Sequence, residues 1–168
     1  VNSSIKQSLS WLVTLIVPFI LLMTVIRLLF TPVYPQIVYR LPGFPVDSYG
    51  FTLEDRLHWS RISMEYLVNN AQIDYLANQQ LQDGQPLYNE RELSHMADVK
   101  QVVINALGVW TISLIILAAL AIFAKRGGWI PDYINGLRRG GMWMIGLAVA
   151  LGLVAGVGIL LNPNVFWQ

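Results

Sequence analysis

Glu92, His95 and Asp98 follow one another at three-residue spacing, which on a helix puts all three on one face about 120° wide. Carboxylates beside an imidazole fix its tautomer, raise its basicity and prepare it as a general base. His95 is therefore the candidate base, and Glu92 and Asp98 are its candidate orienting groups. The same run also describes a plain solvated helix start, because Glu90, Arg91 and Lys100 surround it with mixed charge. The other histidine, His58, precedes Trp59 and reads as a surface or interface residue. Arg27 sits four residues from the end of an apolar run. It either snorkels to the headgroup layer or holds a lipid phosphate or a substrate carbonyl.

The rest of the inventory excludes more than it offers. There is no cysteine, so disulfides, thiolate metal sites, cysteine nucleophiles and a lipid-modified cysteine on the chain itself are ruled out. Two histidines without a spaced ligand cluster give no metal site, and no cofactor is expected. The apolar runs contain no Asp, Glu, Lys or His, which argues against haem ligation, a proton relay at depth or a transport path. The net charge of +1 gives no footing for nucleic acid.

The elements that must position these residues are membrane spans. Hydrophobic residues make up 55% of the 168-residue chain and charged residues 12%, against roughly 25% charged in a typical globular chain. The apolar residues concentrate in 9–31, 102–124 and 142–161, each about 20 residues and long enough to cross hydrocarbon as a helix. Pro18 is expected to kink the first. Lys6, Lys125, Arg126, Arg138 and Arg139 flank the spans on one side, while the segment between the first two spans holds nine acidic and five basic residues. By the positive-inside rule the N-terminus and 125–141 are cytoplasmic and 32–101 lies outside. The expected order is then N-terminus and first span to 31, exterior cap 32–101, second span 102–124, cytoplasmic loop 125–141, third span 142–161 and exterior C-terminus 162–168. Trp11, Trp110, Trp129, Trp143 and Trp167 fall near span ends, as interfacial anchors do.

Within the cap, Pro32, Pro35, Pro42 and Pro45 predict an extended, irregular start over 31–48, with one short strand over 33–41. Thr52-Leu-Glu-Asp55 is a capping box that opens a helix to Asn69, with Leu53, Leu57, Met64, Leu67 and Val68 as its apolar stripe. Asp83-Gly84, between 75–82 and 85–88, signals a hairpin. Asn89 caps one long helix, 90–124, that runs from the cap through the second span. In the third span Ala148, Gly152 and Gly156 recur every four residues, a spacing that lets helix backbones approach closely, within the chain or against a partner subunit. The fold class is therefore an all-α membrane protein with a small mixed α/β cap outside the membrane.

Phe44-Pro-Val-Asp-Ser-Tyr-Gly-Phe-Thr-Leu-Glu-Asp-Arg56, then Tyr66-Leu67, then Leu87-Tyr-Asn-Glu-Arg-Glu-Leu-Ser-His-Met-Ala-Asp-Val-Lys100 resemble the lipoprotein intramolecular transacylase family. The most specific piece is Glu92 to Lys100, and the resemblance covers essentially the whole chain. It implies a bacterial cytoplasmic-membrane enzyme that moves an acyl chain from the glyceryl group of a diacylated lipoprotein to the amine of its N-terminal cysteine. It assigns the base to His95, and an oxyanion or phosphate contact to an arginine such as Arg27, Arg40 or Arg56. Lipoprotein acyl chains would be the partners. The family pattern adds a second histidine in a Phe-His element after the third span, and then a fourth span. Asn162-Pro-Asn-Val-Phe-Trp-Gln168 stands where that element is expected to begin. Two readings follow. Either the sequence is part of a longer acyltransferase with three of its four helices here, or it is a non-catalytic subunit of a larger respiratory or photosynthetic membrane complex, docked through the third helix.

Overall fold

A computed structural model describes residues 2–81 and 83–161. The expected exterior C-terminus, 162–168, with Trp167, and Gln82 of the expected hairpin lie outside the described residues. The element order is α1 (Ser3–Leu29), α2 (Val33–Val38), α3 (Leu53–Val68), α4 (Asp74–Ala77), α5 (Glu90–Gly127) and α6 (Ile130–Leu161). Three of these, α1, α5 and α6, are long and apolar enough to cross a membrane. Most of the large apolar side chains of α6 beyond Gly141 are exposed, Leu153 at 65% and Val154 at 71% among them. Such a surface is stable against lipid rather than water.

The chain divides into two compact units. One takes the chain up to Leu22 and again from Trp110. Its core is Val13 and Val17 of α1, Ala124 of α5, Trp129, and Tyr133 of α6. The segment 125–141 is helical except at Gly128 and Trp129. Gly128 takes φ +67°, a left-handed conformation that glycine adopts without a Cβ penalty. Trp129 was expected at the membrane interface. It is instead fully buried, edge-on to Phe123 at 5.8 Å and to Tyr133 at 6.3 Å, because a two-residue connection turns its ring inward among three helices.

The close approach of helices occurs at Gly136 and Gly140, not in the apolar span where small residues were noted. A Cβ on Gly136 would lie 2.6 Å from the Ser10 carbonyl oxygen, and one on Gly140 would lie 2.6 Å from Val17 Cβ. These two glycines, four apart, let α6 lie against Ser10, Val13, Thr14 and Val17 of α1. Thr14 Oγ1 bonds its own helix at Ser10 O (2.9 Å) and reaches Gly136 O at 3.3 Å. Gly152 and Gly156 have nothing within 4 Å of a Cβ, and Ala148 is exposed.

The other unit is Met23–Val109. The mixed α/β cap is not what forms: among the described residues there is no strand, only an isolated bridge between Gln80 and Pro86. Two physical reasons account for it. Over 33–41 the prolines do not oppose a helix, since Pro35 falls in the first turn of α2, where no intrahelical N–H is needed. The Asp83-Gly84 turn does form, with Gly84 at φ +82° and Leu81 N bonded to Gln85 O at 2.8 Å. Its flanks cannot extend the pairing, because Pro86 lacks an N–H and Tyr75 is drawn into α4.

Helices α3 and α5 begin where side chains satisfy their first amides. Thr52 and Asp55 bond reciprocally, Thr52 N to Asp55 Oδ2 (3.0 Å) and Asp55 N to Thr52 Oγ1 (3.1 Å). Asn89 and Glu92 do the same, each bond 2.9 Å. The core is Ile62, Tyr66 and Leu67 of α3 with Leu76 of α4, covered by Leu93, Met96 and Val99 of α5. Of the expected α3 stripe, Leu67 is buried, while the deepest positions are Tyr66 and Ile62. Lys100 fastens α5 to this core. Its ammonium is buried, donating to Asn69 Oδ1 (3.2 Å) and Ala71 O (2.5 Å) and sitting 3.9 Å from the Tyr66 ring centroid. Two oxygens and a π face thus replace the water a buried ammonium loses.

The glycine contact gives a direct test. Gly140→Val is expected to destabilise the protein by about 1–3 kcal/mol, the usual cost of forcing atoms into a packed interface. Gly152→Val, on an open helix face, should change thermal unfolding in detergent little. Equal effects from the two substitutions would remove the packing role given to Gly140.

Candidate functional site

A cavity of about 440 Å³ opens inside the second unit. His95, Glu92 and Met96 of α5 form one wall, and Arg56, Trp59, Ser60 and Ser63 of α3 form the facing one. Tyr39, Asp47, Phe51, Leu87 and Tyr88 close it from the connecting segments. The elements explain the juxtaposition. The Asn89 and Thr52 caps fix where α5 and α3 begin, and Lys100 fixes how α5 lies against the end of α3. His95 and Arg56 then meet across one space, from positions 39 residues apart in sequence.

Three of the sequence-derived candidates converge there and three do not. His95 and Glu92 line the cavity, both with exposed side chains. The Glu92 carboxylate accepts from Asn89 N, so its nearest duty is capping α5. Asp98 is exposed and is not among the lining residues. Among the arginines, Arg56 lines the cavity. Arg40, just beyond α2, is exposed and donates back to Gln36 O of that helix (2.8 Å), and Arg27 is half-buried in the last turn of α1.

Arg56 is held in an unusual setting. Its guanidinium carbon lies 5.4 Å from the Tyr39 ring centroid and 5.5 Å from that of Phe44. Nη1 donates to Pro45 O at 3.2 Å, while Nε is buried and makes no hydrogen bond. A buried donor without a partner is costly. Asp47 shares the cavity, but its carboxylate is engaged by Tyr49 N (2.8 Å) and Phe51 N (3.2 Å). The ion pair among the described residues is Arg61–Glu65, elsewhere on α3.

Sequence reading missed Ser63 and Tyr88, whose hydroxyls lie 2.7 Å apart in the cavity wall. Ser63 also donates to Trp59 O at 2.8 Å. A hydroxyl carries one proton, so Tyr88 is the donor to Ser63, and the phenol oxygen keeps its acceptor capacity. The signal for Ser63 was its position four residues from Trp59 on the buried side of α3. Tyr88 lies in a segment without periodicity and left none. His58 is exposed and rests edge-on to Trp59 at 4.6 Å, outside the lining of this cavity.

The profile of the family described as lipoprotein intramolecular transacylase Lit matches residues 10–167. The chain belongs to that family. It is a membrane protein, with three helices long and apolar enough to cross a bilayer. A 96-residue stretch is 25% identical to a protein of Aquifex aeolicus (strain VF5) named only as uncharacterized, covering 57% of this chain and 44% of that relative. The match thus spans less than half of that relative's own length. No solved structure matches the chain. The cavity between α3 and α5 gathers a histidine, a guanidinium and hydroxyls inside walls of aromatic and aliphatic carbon.

Asp55, at the rim of a neighbouring cavity lined also by His58 and Trp59, supplies a pH test of the α3 cap. The Thr52 side chain, then the Thr52 backbone N–H, hold the Asp55 carboxyl below its ordinary value of 3.8, and the His58 charge adds to this. A carboxyl lowered in the folded state contributes stability above its unfolded value, and that contribution is lost as pH falls through the folded one. Thr52→Val should return the Asp55 value toward 3.8 in a carboxyl NMR titration and flatten the acid side of the unfolding profile below pH 4. An unchanged Asp55 titration would show that the cap does not govern it.

Proposed function

We propose that this chain carries part of an acyl-transfer site that moves a fatty acyl group from the glyceryl ester of a diacylated lipoprotein to the amine of its N-terminal cysteine. The observation that carries the reading is the meeting of His95 and Arg56 in one apolar-walled cavity. Family membership supplies the substrate class. Atoms balance without a cofactor. The amine nitrogen attacks the ester carbonyl carbon, the carbonyl oxygen takes the negative charge, and the ester C–O bond then breaks. An amide and a free glyceryl hydroxyl result.

Each residue has a role in that step. His95 accepts the proton from the attacking amine and returns it to the departing glyceryl oxygen, as a general base and then a general acid. The Arg56 guanidinium, packed beside the paired Tyr39 and Phe44 rings, stabilises the oxyanion. Its value is greatest where water is excluded and nothing need reorganise. Glu92 and Asp98 orient the imidazole as substrate closes the cavity, and Tyr88 with Ser63 accepts or donates to the ester or amine. The aromatic and aliphatic walls take up alkyl chain at about 0.8 kcal/mol per buried CH₂. The distribution of Lys6, Lys125, Arg126, Arg138 and Arg139 supports an outward-facing cap on a bacterial cytoplasmic membrane.

The test is acyl transfer on a diacylated lipopeptide by the full-length protein, read by mass spectrometry of the N-terminal fragment. His95→Ala should lower kcat by about 10²–10⁴, the usual worth of a general base. Arg56→Gln should lower it by about 10²–10³, with little change in lipopeptide binding. Arg40→Gln, outside the cavity, should stay near the native rate. Full activity in a folded His95→Ala protein would sink the assignment.

A further inference from the structure

The first unit holds a site of a different kind at its basic end. Lys6 and Ser10 of α1 and Asp132, Asn135 and Arg139 of α6 line a cavity of about 370 Å³. A second cavity of about 480 Å³ shares Asn135 and Arg139 and is completed by Arg138, Met142 and Trp143. A polar hollow and one with an apolar wall therefore adjoin at the same two residues, which is the outline of an amphiphile.

Arg139 is fixed in place before any ligand arrives. Nε donates to Asn135 O at 3.3 Å, Nη2 donates to Ser10 Oγ at 2.6 Å, and the guanidinium carbon lies 4.3 Å from the Trp11 ring centroid. Ser10, buried, passes its own proton to Asp132 O at 2.6 Å. A guanidinium has five N–H donors, so most of them stay available. Among the described residues no ion pair joins Lys6, Arg138 or Arg139 to a carboxylate. Asp132 is the one acidic side chain in the two linings, against Lys6, Arg138 and Arg139.

The geometry points to a binding site for an anionic glycerophospholipid. Its phosphate lies between Lys6 and Arg139, its headgroup hydroxyls lie at Asn135 and Asp132, and the start of its acyl chains lies along Met142 and Trp143. Preorganised Arg–phosphate contacts add direction to the attraction, and a basic pocket between membrane helices is the usual setting for such a headgroup. The surplus of cations favours a net-anionic head over a zwitterionic one, whose own cation would meet Lys6 and Arg138. This site is separate from the cavity of His95 and does not depend on its chemistry.

The experiment is native mass spectrometry of the full-length protein in detergent, titrated with phosphatidylglycerol, phosphatidylcholine or inorganic phosphate. Phosphatidylglycerol should give one saturable adduct. Lys6→Gln should weaken it about fivefold and Lys6→Gln with Arg139→Gln about 25-fold, one charge each. Arg126→Gln, at the same end but outside both linings, should leave it within about twofold. Among the described residues the Lys6 side chain makes no hydrogen bond or ion pair, so Lys6→Gln remains informative if the Arg139 variant fails to fold. Equal binding of phosphatidylcholine, no loss in Lys6→Gln, or displacement of the lipid by inorganic phosphate alone would each overturn the assignment.

Discussion

Hydrocarbon offers a backbone amide no partner, and that constraint governs everything else in this chain. It forces the apolar runs into unbroken helices, and those helices do not stop where the apolar residues do. Helix α5 begins at Glu90 and ends at Gly127, so the turn that carries His95 belongs to the same helix as an apolar span. Within the second unit His95 is positioned by helix packing alone, with no strand among the described residues. The price is that the facing wall has to be brought to it, and the polar connecting segment between α1 and α5 does this with short helices.

Two polar devices accomplish the docking. Capping by Thr52 and Asn89 sets the starting phase of α3 and α5, because a helix whose first amides are satisfied by one residue does not slide by a residue. Lys100 then sets the distance between the end of α3 and the side of α5. Removing an ammonium from water is costly, so its oxygen ligands at Asn69 and Ala71 and the Tyr66 ring are held tightly. Burial pushes the Tyr66 phenol up. The cavity wall is therefore fixed by charge burial as much as by apolar contact.

Features encoded by adjacent residues were legible in the sequence. The spans, both caps, the continuity of α5 and the end of α3 at Asn69 follow from signals within four residues or from long periodic runs. Features that depend on what a residue meets across space were not. Proline at 35 reads as a breaker until its place in a first turn is known. Trp129 reads as an anchor until a two-residue connection is seen to fold it inward. Gly136 and Gly140 escaped notice because they lie among arginines rather than in the apolar stretch that invites a search for small residues. For the site, His95 was legible from its spacing with Glu92 and Asp98 and the three arginines came from the family resemblance, but nothing local distinguished Arg56 from Arg27 or Arg40.

That distinction matters for how such a site works. Arg40 spends a donor on Gln36 O and faces solvent, where a charge contributes little to a transition state because water already screens it. Arg56 lies beside the paired Tyr39 and Phe44 rings with a buried, unpartnered Nε–H. An unmet donor lowers the stability of the resting protein and is retained only where the surrounding packing holds it. The same donor gains most when negative charge develops nearby, because no solvent has to reorganise around it. On the proposed reading, a site that keeps an unsatisfied group on one packed helix, opposite a histidine on another, concentrates its binding energy on the reacting carbonyl rather than on the resting ester.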